Sequence, residues 1–205
     1  MKKFEFTGET KTLFDGTVLH RIKALVRIKF AWMAVEIGEL GGWIEKENNL
    51  AHDGNAWVYG DAEVYGNARV YGDAEVYDNA WVYGNARVYG NARVFDDARV
   101  YGNARVYGDA EVCGNAWVCG DAEVFRTEHY LVMGPIGSRN AFTTFFRTKD
   151  RKIKVICGCF FGTIDEFLAK VKQTHGNSKH AKVYRAAVEV ALAQLEDVER
   201  RSIDA

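Results

Sequence analysis

The C-terminal part of the chain carries residue types that suit an anionic ligand. Ser138 and Arg139 close the segment GPIGSR at residues 134–139. Backbone N–H groups of a glycine-containing loop, together with a guanidinium, bind phosphate or carboxylate well. The candidate ligand-binding residues are Ser138, Arg139, Arg147, Lys149, His175 and His180. An ordinary turn and helix-end hydrogen bonds are the alternative explanation, because the segment matches neither a P-loop nor a dinucleotide-binding motif.

A second candidate surface consists of outward-facing tryptophans and arginines in the middle of the chain. Exposed Trp, Tyr and Arg are typical anchors of protein–protein interfaces. The candidate protein-interaction residues are Trp57, Trp81, Trp117, Arg69, Arg87 and Arg105. The alternative is that such side chains stack on one another along the molecule and only cover it.

The cysteines give little indication of chemistry. Cys157 and Cys159 are alternate residues of one predicted strand and point the same way, which makes a poor disulfide pair. A lone Cys-x-Cys is also a weak metal signal. Cys113 and Cys119 replace aromatic residues on the outer face of the repeats. We therefore expect no catalytic residue, no metal and no cofactor, and a reducing cytoplasmic setting.

A strict repeat positions everything between residues 55 and 125. The six-residue unit [Asn/Asp]-Ala-x-Val-aromatic-[Gly/Asp] occurs twelve times there without a gap. Ala and Val are two residues apart, so on an extended backbone they share one face, and the next residues form a turn. One such unit cannot bury its apolar face alone. The repeat therefore predicts a mainly β protein built as a parallel β-solenoid.

The number of hexads in one coil follows less directly from the sequence. Small and aliphatic residues at this spacing resemble the left-handed parallel β-helix, in which three hexads make an 18-residue coil. That coil would place Glu111 beside Arg93, and Trp81 between Glu63 and Arg99. A 12-residue coil would explain an alternation of Asn and Asp hexads, but it would stack Asp on Asp, which is repulsive. We favour the 18-residue coil, and twelve hexads then give four coils.

The flanking segments differ from the rod and from each other. Residues 1–54 show short alternating apolar stretches and predict an N-terminal β cap, ending in an imperfect hexad with Leu50 at an alanine position and His52 at a valine position. Residues 126–205 predict a small α+β module. Its elements are a hairpin over 142–159, a helix opened by a capping box at Thr163 and Glu166, and a second helix from near Ser178.

Charge is distributed unevenly along a chain whose formal net charge is −1. The repeats carry five arginines against eleven acidic residues, whereas residues 126–205 carry fourteen basic against nine acidic residues. The acidic rod disfavours nucleic acid as a partner, and the basic module suits an anion or an acidic surface. The apolar stretch around 24–37 is too charged for a signal peptide or a membrane span.

Several motifs together resemble a set of phage and prophage proteins. They are EFTGET at 5–10, LGGWIE at 40–45, the hexad run, GPIGSRN at 134–140, GCFFGTIDEF at 158–167 and HGNSKHA at 175–181. Proteins of this set are identified as hexapeptide-repeat or polymer-forming from the repeat alone. The resemblance implies a viral origin, the cytoplasm of an infected bacterium and a solenoid fold, but no catalytic residues.

From these observations we expect a non-enzymatic, phage-derived binding protein that forms a homo-oligomer. It would counter a host defence by sequestering a small nucleotide-like second messenger or by blocking a host defence protein. A structural, polymer-forming scaffold is the alternative. A hexapeptide-repeat acyltransferase is more remote, because residues 55–125 contain no histidine and no inserted loop.

Overall fold

The computed structural model describes residues 1–196. Its N-terminal segment contains five strands: β1 (Phe4–Thr12), β2 (Val18–Ala24), β3 (Ile28–Lys29), β4 (Ala34–Val35) and β5 (Leu40–Ile44). β1 pairs antiparallel with β2, β2 pairs antiparallel with β5, and β3 and β4 form a separate short hairpin. The N-terminal segment is therefore β-rich, as the sequence predicts.

Twelve two-residue strands, β6 to β17, follow in the repeats. Each strand holds the x and Val positions of one hexad. In chain order they are Trp57–Val58, Glu63–Val64, Arg69–Val70, Glu75–Val76, Trp81–Val82, Arg87–Val88, Arg93–Val94, Arg99–Val100, Arg105–Val106, Glu111–Val112, Trp117–Val118 and Glu123–Val124. The strands are short because each hexad also forms a corner of the coil.

The strands stack in parallel at a spacing of 18 residues. Trp81 pairs with Glu63 on one side and with Arg99 on the other, and Arg93 pairs with Glu111. These are the neighbours that the 18-residue coil predicts, so the three-sided parallel β-solenoid is confirmed and the 12-residue coil is wrong. The pairings do not depend on the sense of winding, and the left-handed sense stays a prediction.

Three faces run along the rod, and each is named here by its outward residues. The tryptophan face holds β7, β10, β13 and β16 with Glu63, Trp81, Arg99 and Trp117. The arginine face holds β8, β11, β14 and β17 with Arg69, Arg87, Arg105 and Glu123. The glutamate face holds β6, β9, β12 and β15 with Trp57, Glu75, Arg93 and Glu111.

The core of the rod is made of the repeat alanines and valines, all of which are buried. The chain turns at each corner through a residue with positive φ. Glycine fills most of these positions, and Asp78 and Asp96 adopt the same conformation with φ of 57°. At Gly102 an added Cβ would also lie 2.8 Å from the backbone nitrogen of Gly120 in the next coil. Backbone conformation and close stacking therefore both select glycine there.

The solenoid begins earlier than the first regular hexad. Ile44 pairs in parallel with Val64, and Leu50 forms a parallel bridge with Val70. Leu50 therefore occupies a valine position, and the prediction that placed it at an alanine position, with His52 as the valine, is wrong. The reason is the longer interval between Leu50 and Val58, which lets the chain loop out at His52 before the regular repeat starts.

The C-terminal segment is a four-stranded antiparallel sheet covered by two helices. Its elements are β18 (Tyr130–Ile136), β19 (Ala141–Arg147), β20 (Ile153–Cys157), β21 (Phe160–Thr163), α1 (Ile164–His175) and α2 (Lys179–Glu196). The predicted hairpin, both helices and the Thr163–Glu166 capping box are confirmed. β18 and β21 were not predicted, because their short apolar stretches lack clear alternation.

The strand β19 connects the rod to the helices. Phe146 belongs to the solenoid core, whereas Phe145 packs among the helices, as alternation along a strand requires. Thr148 forms an antiparallel bridge with Ala122, and Thr144 Oγ1 accepts a hydrogen bond from the Trp117 N–H at 3.1 Å. The module thus covers the open end of the last coil. Among residues 1–196, no helix has the length and apolar character needed to cross a bilayer.

Candidate functional site

A cavity of about 280 Å³ lies in the C-terminal module between α1 and two turns. One turn, at residues 137–140, joins β18 to β19, and the other, at Gly158 and Cys159, joins β20 to β21. Its polar lining includes Ser138, Arg139, Lys170, Thr174, His175 and Tyr184. Three of the six predicted ligand-binding residues therefore meet at one cavity.

Arg139 lies across the second turn of this cavity. Its Nη2 is 3.9 Å from Cys159 Sγ, and a Cβ at Gly158 would lie 2.9 Å from its Nη1. Glycine at 158, with φ of +60°, therefore leaves the space that the guanidinium occupies. Arg139 is exposed and forms no ion pair with any carboxylate of the described residues. A guanidinium without a carboxylate partner is free to bind an anion in a bidentate manner.

Tyr184 forms the buried side of the cavity. A Cβ at Gly137 would lie 1.9 Å from the Tyr184 hydroxyl, so the turn packs directly onto this group. Burial and then the neighbouring Cys157 raise the pKa of Tyr184, while contacts with Ser138 oppose the rise. The hydroxyl is consequently neutral at physiological pH and offers a ligand a hydrogen bond rather than a charge.

The two candidate histidines lie at the junction of the helices. His175 ends α1 and lines the cavity, with its ring 5.7 Å from that of Tyr184. His180 is exposed on α2, and its ring lies 6.0 Å from that of His175. His180 thus borders His175 but is not part of the cavity lining.

Arg147 and Lys149 lie elsewhere. Arg147 is nearly buried on β19 and contributes to a different groove beside α2. Lys149 is exposed in the turn after β19 and lines a groove on the arginine face, together with Arg87 and Arg105. The expectation that the basic residues of the hairpin join Arg139 in one site is wrong, because the sheet turns these ends toward the rod.

Several residues of this cavity could not be identified from the sequence. The sequence pattern predicts that Tyr184 belongs to the apolar side of a helix, but in the structure its hydroxyl reaches the turn at Gly137. Lys170 and Thr174 are four residues apart on α1 and so share a helix face, and His175 follows at the end of the helix. That spacing is visible in the sequence, but only the fold shows that this helix face meets Arg139.

The arginine face differs from the other two faces in charge. Arg69, Arg87 and Arg105 are exposed and stack in register on successive coils, about 4.8 Å apart. None of the three forms an ion pair within residues 1–196. A cavity of about 290 Å³ opens beside Arg87 and Arg105, and it also contains the carboxylates Asp121 and Glu123.

On the other two faces each arginine contacts a partner from a neighbouring coil. On the tryptophan face, the Arg99 guanidinium lies 4.3 Å from the ring centre of Trp81 and 5.0 Å from that of Trp117. On the glutamate face, Arg93 forms an ion pair with Glu111. The arginine face differs because Arg87 lies between Arg69 and Arg105, and Arg105, whose other neighbour is Glu123, forms no ion pair within residues 1–196.

The aromatic residues of the repeats form ladders, as the alternative reading expected. Tyr71, Tyr89 and Tyr107 stack with ring centres 4.8 Å and 5.0 Å apart and nearly parallel planes. Stacked rings expose only their edges, so they offer no free face on which a ligand ring could stack.

Trp57 is not on the surface, and its prediction as an exposed interaction residue is wrong. It is fully buried, with the ring of Phe4 6.4 Å away in an edge contact. The N-terminal cap covers it: Lys3 Nζ donates to the carbonyl oxygen of Ala56 at 2.7 Å, and Phe4 stacks on His52. Trp81 and Trp117 are partly exposed but are engaged with Arg99.

The cysteines and possible metal ligands form no cluster in the part of the chain that the structure describes. All four cysteines are free thiols, and Cys119 is buried. No group of three or more His, Cys, Asp and Glu residues there is arranged to hold a metal ion.

The repeats match the model of a known protein family. The family model for the YdcK beta solenoid repeat matches residues 62–77, 86–102 and 98–120, all within the rod. No curated protein matches the chain. The matched segments coincide with the strands that stack at 18 residues, and together these findings show that the chain is a β-solenoid repeat protein.

Proposed function

We propose that the protein is a non-enzymatic binding protein whose C-terminal cavity holds a small anionic ligand. The observation that carries this proposal is the Arg139 guanidinium, which lies at the cavity without a carboxylate partner. His175 and Lys170 add donors on the opposite wall, which α1 provides. We propose that the site holds its ligand without a covalent step, through charge and hydrogen bonds from these donors.

The size of the cavity limits the ligand. About 280 Å³ lies just below the range of typical small-molecule sites. It suits a phosphate group with part of a nucleoside better than a whole dinucleotide. In the phage-derived setting that the sequence resemblance implies, such a ligand would be a nucleotide second messenger of a host defence, and the protein would act by sequestering it.

The first test is native mass spectrometry of protein purified gently from bacteria that express a phage-defence signalling system. A mass above a multiple of 23.1 kDa, by the weight of a nucleotide, supports the proposal. Denaturation should release the extra mass unchanged, since no covalent step is proposed. A panel of mononucleotides and cyclic nucleotides, screened by thermal shift, then identifies the ligand class, because a ligand that binds only the folded state raises the melting temperature.

Variants separate this cavity from general basic charge. Arg139→Ala should abolish the thermal shift, and Tyr184→Phe should weaken it while it keeps the ring packing. Arg126→Ala, an exposed arginine outside the cavity lining, is the matched control and should bind normally. Unchanged binding by Arg139→Ala would remove this site assignment.

Blocking of a host protein is the second candidate function, and the exposed arginines of the rod favour it. A structural scaffold stays a further alternative on the same surface. A bare protein in the mass spectrometry experiment, with no ligand shift in the panel, would give these surface functions the lead.

A further inference from the structure

The rod has an acidic edge directly across from the arginine face. This acidic edge consists of Asp61, Asp78, Asp96 and Asp97, all exposed, at the corner where the glutamate face turns into the tryptophan face. In a three-sided coil, each corner lies opposite the remaining side. A row of three arginines therefore lies on one side of the rod and four aspartates lie at the opposite corner, while Asp73, Asp109 and Asp121 lie at the corners that flank the arginine face.

Both charged sets repeat with the coil. Arg69, Arg87 and Arg105 occupy equivalent positions on three successive coils. Asp78 and Asp96 occupy equivalent corner positions, since the Asn79 N–H donates to the Asp96 carbonyl one coil further along. Each set thus steps by about 4.8 Å along the rod, so one can face the other in register.

Neither set is neutralised within the molecule. No residue of the acidic edge or of the three arginines forms an ion pair inside the described range 1–196. Two carboxylates of the edge accept local hydrogen bonds: Asp97 from Asn79 at 3.2 Å and Asp96 from the Gly114 N–H at 3.0 Å. Those bonds orient the carboxylates but leave their charge in place.

We infer that the arginine face of one copy binds the acidic edge of a second copy of this chain. The two surfaces lie on opposite sides of the rod, so a bound pair still offers one free arginine face and one free acidic edge. Contacts of this kind do not close, and they produce a lateral row of rods rather than a fixed dimer. A small anion fits the arginine face less well, because Asp121 and Glu123 share the groove beside Arg87.

Sedimentation velocity at roughly 20 mM and roughly 500 mM sodium chloride is the first test, because salt screens exposed charge pairs. At low salt the sedimentation coefficient of the wild-type protein should rise with protein concentration. At high salt it should be constant. A constant value at low salt would overturn the inference.

Two variants remove one surface each. The face variant carries Arg69→Gln, Arg87→Gln and Arg105→Gln, and the edge variant carries Asp78→Asn, Asp96→Asn and Asp97→Asn. Asparagine tolerates the positive φ of the corner positions and keeps an acceptor for the local bonds. Each variant alone should lose the concentration dependence. A sedimentation coefficient that still rises with protein concentration in either variant would overturn the inference.

A mixture of the two variants tests whether these surfaces face each other. The edge variant still has its arginines and the face variant still has its aspartates, so one contact remains per pair. The mixture should form particles of twice the high-salt mass and nothing larger. No pairing in the mixture, or binding of wild-type protein to an oligonucleotide instead of to itself, would overturn the inference.

Controls exclude folding defects and bulk charge. A variant with Lys172→Gln, Lys179→Gln and Lys182→Gln loses the same charge from exposed helix positions, and it should still assemble as the wild type does. Loss of assembly in this control would overturn the inference. Circular dichroism checks that each variant is folded, and Arg87→Gln alone, which should reduce assembly partially, replaces the face variant if that one is unstable.

Discussion

His129 makes the junction between rod and module sensitive to acid. Its side chain is fully buried, and its ring packs edge-on against Phe125 with centres 4.0 Å apart. Nδ1 accepts a hydrogen bond from the Phe125 N–H at 3.4 Å, so Nε2 carries the proton, and Nε2 has no hydrogen-bond partner among residues 1–196. Burial first, and the charge of Arg147 second, lower the pKa of His129 to about 4.

The sign and size of the effect follow from linkage. The unfolded chain binds a proton at His129 with a pKa of about 6.5, whereas the folded protein binds it only near pH 4. Between these values the unfolded state holds more protons, so stability is complete above pH 6.5 and falls as the pH drops toward 4. For this single group, the free energy of unfolding should fall by about 2 kcal/mol between pH 7.5 and pH 5.

His129→Asn isolates this contribution. Asparagine does not titrate, and its side-chain oxygen can replace Nδ1 as acceptor for the Phe125 N–H. The smaller side chain leaves a cavity, so the variant should be less stable at pH 7.5 by about 1–3 kcal/mol. Its stability should then fall less than that of the wild type toward pH 5, and the difference between the proteins should shrink.

Urea denaturation followed by circular dichroism from pH 7.5 to pH 5 measures both curves. The other titratable groups are the same in both proteins, so their contributions cancel in the difference between the two stability curves. An NMR titration of the His129 ring protons checks the pKa directly. Parallel loss of stability in both proteins, or a His129 pKa near 6.5, would refute the argument from burial.

Three further substitutions test the rod. Gly102→Ala should lower the free energy of unfolding by more than Gly114→Ala, for which we expect a loss of roughly 1 kcal/mol. Both glycines have positive φ, but of the two only Gly102 lies against the backbone of the next coil. Equal urea midpoints for the two variants would contradict this. Arg99→Lys should cost about 0.5–1 kcal/mol through weaker stacking on its two tryptophans, whereas Arg105→Lys should be nearly neutral in the same assay. Arg87→Gln should stabilise the isolated protein by about 0.2–1 kcal/mol at low salt, because it relieves repulsion between neighbouring arginines; a gain that survives high salt would contradict this cause.

The repeat allowed the rod to be predicted in detail. A period of six with Ala and Val on one face leaves few ways to bury those residues. The 18-residue coil was preferred because a 12-residue coil stacks aspartates, although the observed coil also places Asp78 and Asp96 at equivalent corners of successive coils. The pairing of Trp81 with Arg99 and of Arg93 with Glu111 was therefore predictable. Such arguments work because the neighbours in a solenoid lie at a fixed distance along the sequence.

The ends could not be predicted in the same way, because their contacts have no period. Trp57 occupies the same hexad position as Trp81, yet it is buried because Phe4, more than fifty positions earlier, covers it. Arg139 and Tyr184 meet only because the turn after β18 packs on α2. Sequence spacing identified which residues could bind an anion, but not which of them lie together.

Function in such a rod can reside only in positions that the repeat leaves free. The alanines and valines are fixed by burial, whereas the x position varies among Trp, Glu and Arg and the corners vary among Gly, Asp and Asn. Because the coils stack in register, the x residues form three distinct faces. On two of these faces the arginine contacts a partner: Arg99 stacks on tryptophans, and Arg93 pairs with Glu111. On the arginine face, Arg87 instead lies between Arg69 and Arg105, and none of the three forms an ion pair within residues 1–196. We expect this row to lower the stability of the isolated protein, and the acidic edge of a second copy has the charge and repeat that would neutralise it.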